Sequence, residues 1–341
     1  MRNIVYVITK SEIGGAQTWV RDQTALFEHD FKQIIITNRE GWLSENNDAD
    51  KIYFVKEIES KFSIIALFKI VKILIKEQAD TVISSSANAG LYARLSKLFY
   101  KHRSIYVSHG WSCIYNGGKL QRIFIGVERL LSYLTDTILC VSDKDADNAK
   151  NIIGISDEKI KIIRNSVYPQ KEKSLKKYDT LKLLFVGRLA HPKRLDLLIE
   201  AVNKVNGVVL TVVGDGPNRN LYKKNKNVEF LGEIKNFNEF YKYDAFALIS
   251  DSEGLPMSAL EAASAGLPLL LSNVGGCSEL IKNNGLLVEN TVEDIVNAIN
   301  NIKMKYDNYQ IVSQNIKDTF NINYYKNEYS HLYFGNNNYE S

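Results

Sequence analysis

Short β-branched apolar runs alternate along this chain with longer stretches of helical period, the pattern of βαβ units and hence of parallel sheets. Residues 3–9, 33–37, 51–55, 80–84, 104–108, 136–142 and 160–165 predict the strands of a first domain. Residues 181–187, 208–214, 228–232, 244–250, 267–272 and 285–289 predict those of a second. Several of these runs are too apolar to face water on either side, as expected of strands covered by helices on both faces. The stretch "KFSIIALFKIVKILIKEQ" puts Ile64, Leu67, Phe68, Val71, Leu74 and Ile75 on one helical face and Lys69, Lys72 and Lys76 on the other. It reads as a helix covering a sheet rather than one lying on a membrane. Residues 166–180 are polar, lysine-rich and without period, and read as a linker. The expected organisation is therefore α/β, with two Rossmann-like doubly wound domains at 1–165 and 181–320. Residues 321–341 form a C-terminal helix and tail, a candidate to pack back on the first domain, and its Asn-rich end is expected to fray.

Composition agrees with two cores: the chain has 341 residues, 45% of them hydrophobic. Cys113, Cys140 and Cys277 are far apart and odd in number, which points to a reducing compartment, the cytoplasm. The opening "MRNIVYVITKSEIGG" reads as a first strand running into a glycine turn, not as a leader. No apolar run approaches the roughly 18 residues of a spanning helix, so the protein is expected to be soluble or attached to a membrane surface. The net charge of +4 conceals a clustering, because residues 61–129 hold eleven Lys or Arg against three acids. An anionic partner near that segment is the expectation, set against solvent as the usual answer.

In open α/β sheets ligands bind beyond the carboxyl ends of strands, which directs attention to the residues after each apolar run. In "DSEGLPMSALEAASAGLPLL" a strand ends at Ser250, Pro256 opens a helix and Gly266 closes it. Glu253 lies before that helix and Glu261 within it. The N–H groups of Leu255, Met257 and Ser258 form an anion site aided by the helix dipole. Either Glu253 and Glu261 accept hydrogen bonds from the hydroxyls of two polyols, or one caps the helix and the other is a surface residue. Arg188 and Lys193 follow the strand at 181–187 at a spacing suited to a diphosphate. Gly14 and Gly15 allow a phosphate or sugar to approach the backbone after the first strand. The G-x-G-x-x-G pattern of nicotinamide sites is missing. His109 stands directly after the strand at 104–108. The acids of "DAD" at 145–147, with Asp143, begin a helix, where the dipole favours them and no metal is needed.

The ordered series "GGAQ", "SHG", "CVS", "RNSVY", "VGRL", "PKR", "VVGDGP", "FLG", "SEGLPMSALEAASAGLPLL", "NVGG" and "NGLLV" resembles the family 4 retaining glycosyltransferases, enzymes of the GT-B fold. It runs from about residue 3 to residue 300. The resemblance implies two domains facing each other across a cleft, and transfer of a sugar from a UDP- or GDP-sugar to an acceptor hydroxyl with retention of configuration. Arg188 and Lys193 match the cations that hold and stabilise the leaving diphosphate. Glu261 matches the residue on the ribose, and Glu253 the one on hydroxyls of the transferred sugar. Gly14 and Gly15 match the loop near diphosphate and acceptor, and His109 a histidine beside the sugar. Leu231 and Gly232 fall where the base is framed, and Gly254, Leu255, Met257 and Ser258 complete the donor-binding set.

No classical base is nominated, in line with front-face displacement, and no metal or other cofactor is expected. Arg194 departs from the glycine common after the lysine, and Ser258 from an aliphatic residue. Relatives that build surface polysaccharides act on lipid-linked saccharides, so the basic segment 61–129 becomes a candidate for the anionic inner face of the membrane. Nucleic acid fits poorly. A sugar-nucleotide epimerase and a catalytically silent nucleotide-sugar-binding subunit are the rivals, separated by whether nucleotide release needs acceptor.

Overall fold

The computed structural model describes residues 2–60, 62–115, 118–174, 179–222 and 226–334, which divide into two compact units. One contains the chain up to Arg164 together with residues from Ile322 onward, the other Asn165–Asn321. The tail expected to fray, 335–341, and residues 175–178 of the expected linker lie outside the described residues.

The first unit is built on a parallel sheet of β1 (Asn3–Val7), β2 (Lys32–Thr37), β3 (Lys51–Phe54), β4 (Thr81–Ser84), β5 (Arg103–Ser108), β6 (Thr137–Cys140) and β7 (Ile160–Ile162), in the order β3-β2-β1-β4-β5-β6-β7. Its helices are α1 (Gly15–Leu26), α2 (Trp42–Glu45), α3 (Ile64–Lys76), α4 (Ala87–Ser96), α5 (Ser112–Tyr115), α6 (Gln121–Ser132) and α7 (Asp143–Asn148). The central strands are apolar throughout because both faces are covered. Val5, Val7, Ile34, Ile36 and Val82 pack against α3 and α4, while right-handed crossovers put α1 and α2 on the other face. The helix α12 (Lys326–Phe334) joins that second face. Tyr329 meets Trp19 and Tyr333 meets Phe27, at ring separations of 6.2 and 5.4 Å. Tyr333 also donates to Gln23 Oε1.

The helix α3 departs from expectation on its outer face. Ser63 caps it by accepting from the Ala66 N–H, and Ala66, Leu67, Ile70, Val71 and Leu74 form its buried stripe. Ile64, Phe68 and Ile75, expected on the inner face, are exposed beside Lys69, Lys72 and Lys76. A helix on a sheet buries a stripe little more than a quarter of its circumference, and this one carries more apolar residues than that stripe holds. The basic segment is also less open than its count suggests. Arg94 is buried with Glu128, and Lys69 and Lys97 pair with Glu57 and Asp136. Arg103 and Arg129 donate to the carbonyls of Leu332 and Ile153. Lys61 lies outside the described residues.

The second unit carries β8 (Leu181–Val186), β9 (Val208–Val213), β10 (Val228–Gly232), β11 (Ala245–Leu248), β12 (Leu269–Ser272) and β13 (Gly285–Val288), all parallel, in the order β10-β9-β8-β11-β12-β13. Around it lie α8 (Leu195–Asn203), α9 (Met257–Ser264), α10 (Val292–Met304) and α11 (Tyr306–Ile316). The stretch before β8 is fastened to this unit: Lys173 pairs with Asp244 at 2.9 Å and its N–H donates to Ala265 O. The strand order reverses between β1 and β4 in one sheet and between β8 and β11 in the other. Those two reversals mark where each sheet opens a crevice at its carboxyl edge.

Candidate active site

In the second unit the crevice is built by loops that hold one another through backbone contacts. After β8 comes Gly187, whose carbonyl lies so close to Gly214 that a Cβ there would fall 2.0 Å away; Gly214 has φ +131°. Leu189 donates to Asp215 O and accepts from the Asn218 N–H. The next residues are stitched to the end of β11, with Arg194 N–H donating to Ile249 O at 2.8 Å and Asp251 N–H to Pro192 O at 2.9 Å. The result is a direct ion pair between the Lys193 ammonium and the Glu253 carboxylate, both largely buried. Arg194 turns to Asp196 and Asp251, so its presence where glycine is common leaves the lysine undisturbed. Arg188 is exposed, and its guanidinium pairs with no acid among the described residues.

Glu253 is fixed from behind by the loop after β12. Gly275, at φ +53°, comes so close that a Cβ would lie 1.7 Å from Glu253 O, and Gly276 N–H donates to Gly254 O at 2.8 Å. Asn165 Nδ2 donates to Leu255 O. Pro256 is the residue before α9 rather than part of its first turn, and its carbonyl accepts from Ala259 and Leu260. No side chain caps this helix end. Glu253, one candidate cap, is paired with Lys193 instead. The N–H groups of Met257 and Ser258 therefore have no partner within the helix. Leu255 and Met257 are buried, while Ser258 and Glu261 are partly exposed on the same helix. Leu231 is exposed at the end of β10, where a bulge precedes Gly232.

In the first unit Gly14 precedes α1 and Gly15 begins it, with no side-chain cap. Ser11 anchors this loop, donating its N–H to Asn38 Oδ1 and accepting at its carbonyl from Leu43. His109 follows β5. Its Nε2 lies 2.7 Å from Ser85 Oγ at the end of β4, and its ring makes a T-shaped contact with Trp19 at 5.5 Å. Burial holds the imidazole down at about 4, against an ordinary value of 6.5, because removal from water disfavours the cation. Gly110, at φ +101°, donates its N–H to Asp145 Oδ2, and Trp111 Nε1 donates to Asp145 O. Asp145 is thus a buried anchor for the turn after His109. Among the described residues no three His, Cys, Asp or Glu side chains gather as metal ligands.

Each expected site residue falls at the carboxyl edge of its own sheet: Gly14, Gly15 and His109 in the first unit, the rest in the second. Lys193 and Glu253 are brought into contact across 60 residues of chain. Sequence reasoning did not identify Ser85, Trp19 or Asp145 as partners of the His109 turn.

Comparison with known proteins places this geometry among relatives. Residues 168–319 match the family described as Glycosyl transferases group 1, and residues 13–171 the one described as Glycosyltransferase Family 4. The O-antigen biosynthesis glycosyltransferase WbnH of Escherichia coli is 47% identical over 98% of this chain and 100% of that protein. The Escherichia coli UDP-Gal:alpha-D-GlcNAc-diphosphoundecaprenol alpha-1,3-galactosyltransferase is 27% identical over 74% of this chain and 75% of that protein. Among solved structures, Anabaena Alr3699/HepE in complex with UDP superposes with a TM-score of 0.82 at 17% identity, covering 97% of this chain and 99% of that one.

Proposed function

The chain belongs to glycosyltransferase family 4, of GT-B fold, and on that premise we propose that it moves a hexose from a UDP-sugar, with a GDP-sugar as the second choice, to a hydroxyl of a lipid-linked saccharide during assembly of an O-antigen type polysaccharide. The observation that carries the donor-site reading is the buried Lys193–Glu253 pair beside Arg188 at the switch point of the second sheet. Two cations at strand ends suit a diphosphate, and their fixed charge stabilises the oxygen that leaves as the glycosidic bond breaks. The uncapped N–H groups of Met257 and Ser258 add to that anion site. Glu261 takes the ribose hydroxyls and Glu253 a hydroxyl of the transferred sugar, and His109 is assigned to sugar binding.

Transfer proceeds with retention of configuration by front-face displacement, in which the departing phosphate oxygen accepts the proton of the attacking hydroxyl. The chain supplies positioning and charge, and no metal takes part. The 47% identity to an O-antigen transferase over the whole chain supports transfer over epimerisation or a silent subunit.

The decisive test has three parts. Thermal shifts with UDP-, GDP-, ADP- and TDP-sugars should single out one nucleotide, at about 2.7 kcal/mol for ligand at a hundred times its dissociation constant, and Arg188→Ala and Glu261→Ala should lose that shift. Proton NMR of the product should give the donor's anomeric configuration, and turnover should persist in EDTA. Inversion, or abolition by EDTA that added magnesium restores, would overturn the mechanism. Equal thermal shifts in the folded variants would overturn the donor site.

We also propose that the first unit docks on an anionic membrane, using the outer faces of α3 and α6. Phe68 and Phe99, which follows α4, are each 52% exposed and meet in a tilted ring contact at 5.4 Å, and Ile123 on α6 is 61% exposed. Lys72, Lys101 and Arg122, on the same unit, are exposed. Apolar residues that reach the acyl boundary beside cations that meet lipid phosphate are the two attractions of an interfacial helix.

A further inference from the structure

We propose that Ser85 is a positioning residue that fixes His109 as the tautomer protonated on Nδ1, so that the ring presents an N–H donor to an oxygen of the bound sugar. The proposal rests on the reading that His109 contacts that sugar, and it adds the residue and the proton on which the contact depends.

The argument is an accounting of one hydrogen. Ser85 is fully buried, its relative exposure being 0%. Its hydroxyl has one donor hydrogen and must place it on an acceptor, since a buried hydroxyl without one loses its hydration uncompensated. Among the described residues the one partner of Ser85 Oγ is His109 Nε2, at 2.7 Å. If Nε2 carried the proton, serine would be the acceptor and its own hydrogen would have no recipient. With Nε2 as acceptor every group is satisfied, and the imidazole proton lies on Nδ1. Nδ1 has no hydrogen-bond partner among the described residues, and His109 is partly exposed, so this nitrogen is the one left for a ligand.

The surroundings hold Ser85 and the ring in place. Ser85 N–H donates to Val7 O at 3.0 Å, tying the end of β4 to β1. Next to it, Thr9 Oγ1 and Ser86 Oγ lie 2.7 Å apart, and Thr9 N–H donates to Ser86 Oγ. Trp19 meets the ring in a T-shaped contact and is itself fixed by donating from Nε1 to Tyr329 on α12. Burial keeps the imidazole neutral at physiological pH, so that it has a single N–H to place. A neutral donor suits a hydroxyl oxygen better than it suits a phosphate, which agrees with a sugar rather than the diphosphate as the partner.

The test reads the tautomer directly. The full chain labelled with ¹⁵N-histidine contains five histidines, and long-range ¹H–¹⁵N correlation separates Nδ1–H from Nε2–H rings. The variant His109→Gln assigns the signal. The wild type should show His109 as Nδ1–H, the rarer form of free imidazole, and Ser85→Ala should convert it to Nε2–H or a mixture. A wild-type Nε2–H ring overturns the proposal without any variant, and an Nδ1–H ring unchanged in folded Ser85→Ala removes Ser85 from the role.

Kinetics supply the second readout. Ser85→Ala should lower kcat/KM for the donor about tenfold. His109→Asn, whose amide nitrogen stands in for Nδ1, should retain more activity than His109→Gln. The reverse order overturns the donor role of Nδ1. Full activity in His109→Ala, with the tautomer as expected, would instead reject the placing of His109 at the sugar.

Discussion

Lys193 and Glu253 neutralise each other in a largely buried ion pair that links the loop after β8 to the loop after β11. In the proposed mechanism the lysine serves the diphosphate and the glutamate the sugar, so donor binding acts on a pair that already exists. We expect Lys193→Ala and Glu253→Ala each to lower kcat/KM by about 10²–10³. Each single change strips the other charge of its partner, so the double variant should lose less than the sum, with a coupling of about 0.5–3 kcal/mol. A double-mutant cycle on steady-state rates measures it. Additive losses would mean that the two side chains act independently.

The backbone behind Glu253 permits a sharper test of geometry. Gly275 and Gly232 both have positive φ, +53° and +74°, but a Cβ at Gly275 would meet Glu253 O at 1.7 Å, whereas one at Gly232 meets nothing within 4 Å. Gly232→Ala should cost about 1–2 kcal/mol, for the conformation alone. Gly275→Ala should cost about 3 kcal/mol or more and displace Glu253, lowering kcat beyond the effect on stability. Chemical denaturation and kinetics on the folded fraction separate the two. Equal costs would show that the Gly275 loop yields without strain.

The strands among the described residues were legible as short apolar runs, the central ones covered on both faces, as "LLLS" at β12 illustrates, and the edge strands β3 and β7 more open. The candidate site residues were legible as strand ends because the topology of each sheet places such ends on one of its edges. Side-chain partnerships were not. Ser85 and His109 are 24 residues apart, and nothing local distinguishes a serine that meets an imidazole from one that meets water. The outer face of α3 was misread for a related reason. Period assigns residues to a face, but how much of that face is buried depends on the neighbours, and Phe68 lies just beyond the edge of the sheet's cover.

Acid should unfold the first unit in two separable windows. Glu77 accepts from Lys32, Lys51 and Tyr53, and these bonds, Lys32 foremost, hold its carboxyl at about 2 against an ordinary 4.5. A depressed acid contributes stability that is present above its unfolded value and is lost as pH falls through the folded one, here from about 4.5 to about 2. His109, held down at about 4, acts earlier. The unfolded chain binds its proton below 6.5 and the folded chain does not, so His109 removes stability from pH 6.5 to about 4, opposed by Asp22, whose carboxyl burial raises to about 6. Glu77→Gln should cost about 2 kcal/mol at pH 7, with the deficit closing below pH 4.5. His109→Gln should remove its own share of the upper window, leaving those of His102, also lowered by burial, and of Asp22. Trp19, Trp42 and Trp111 all lie in the first unit, so tryptophan fluorescence follows the right transition. A Glu77→Gln deficit that stays constant down to pH 2 would sink the assignment.

The membrane proposal separates from the catalytic one because the residues differ. Phe68, Phe99 and Ile123 are exposed and belong to no part of the proposed donor site. Replacing all three with serine removes apolar area without removing charge. The triple variant should therefore bind vesicles of phosphatidylglycerol and phosphatidylethanolamine about tenfold or more weakly. Turnover of a water-soluble acceptor should be unchanged, because the donor site is untouched. Lys72→Glu, Lys101→Glu and Arg122→Glu together should weaken binding to anionic vesicles and make what remains insensitive to salt, since the electrostatic share fades within a Debye length. Co-sedimentation at low and high salt reads both effects. If the serine variant binds as the parent does while the charge variant does not, the outer faces of α3 and α6 act as a charged surface alone. Parental binding by both variants would reject this face as the site of attachment.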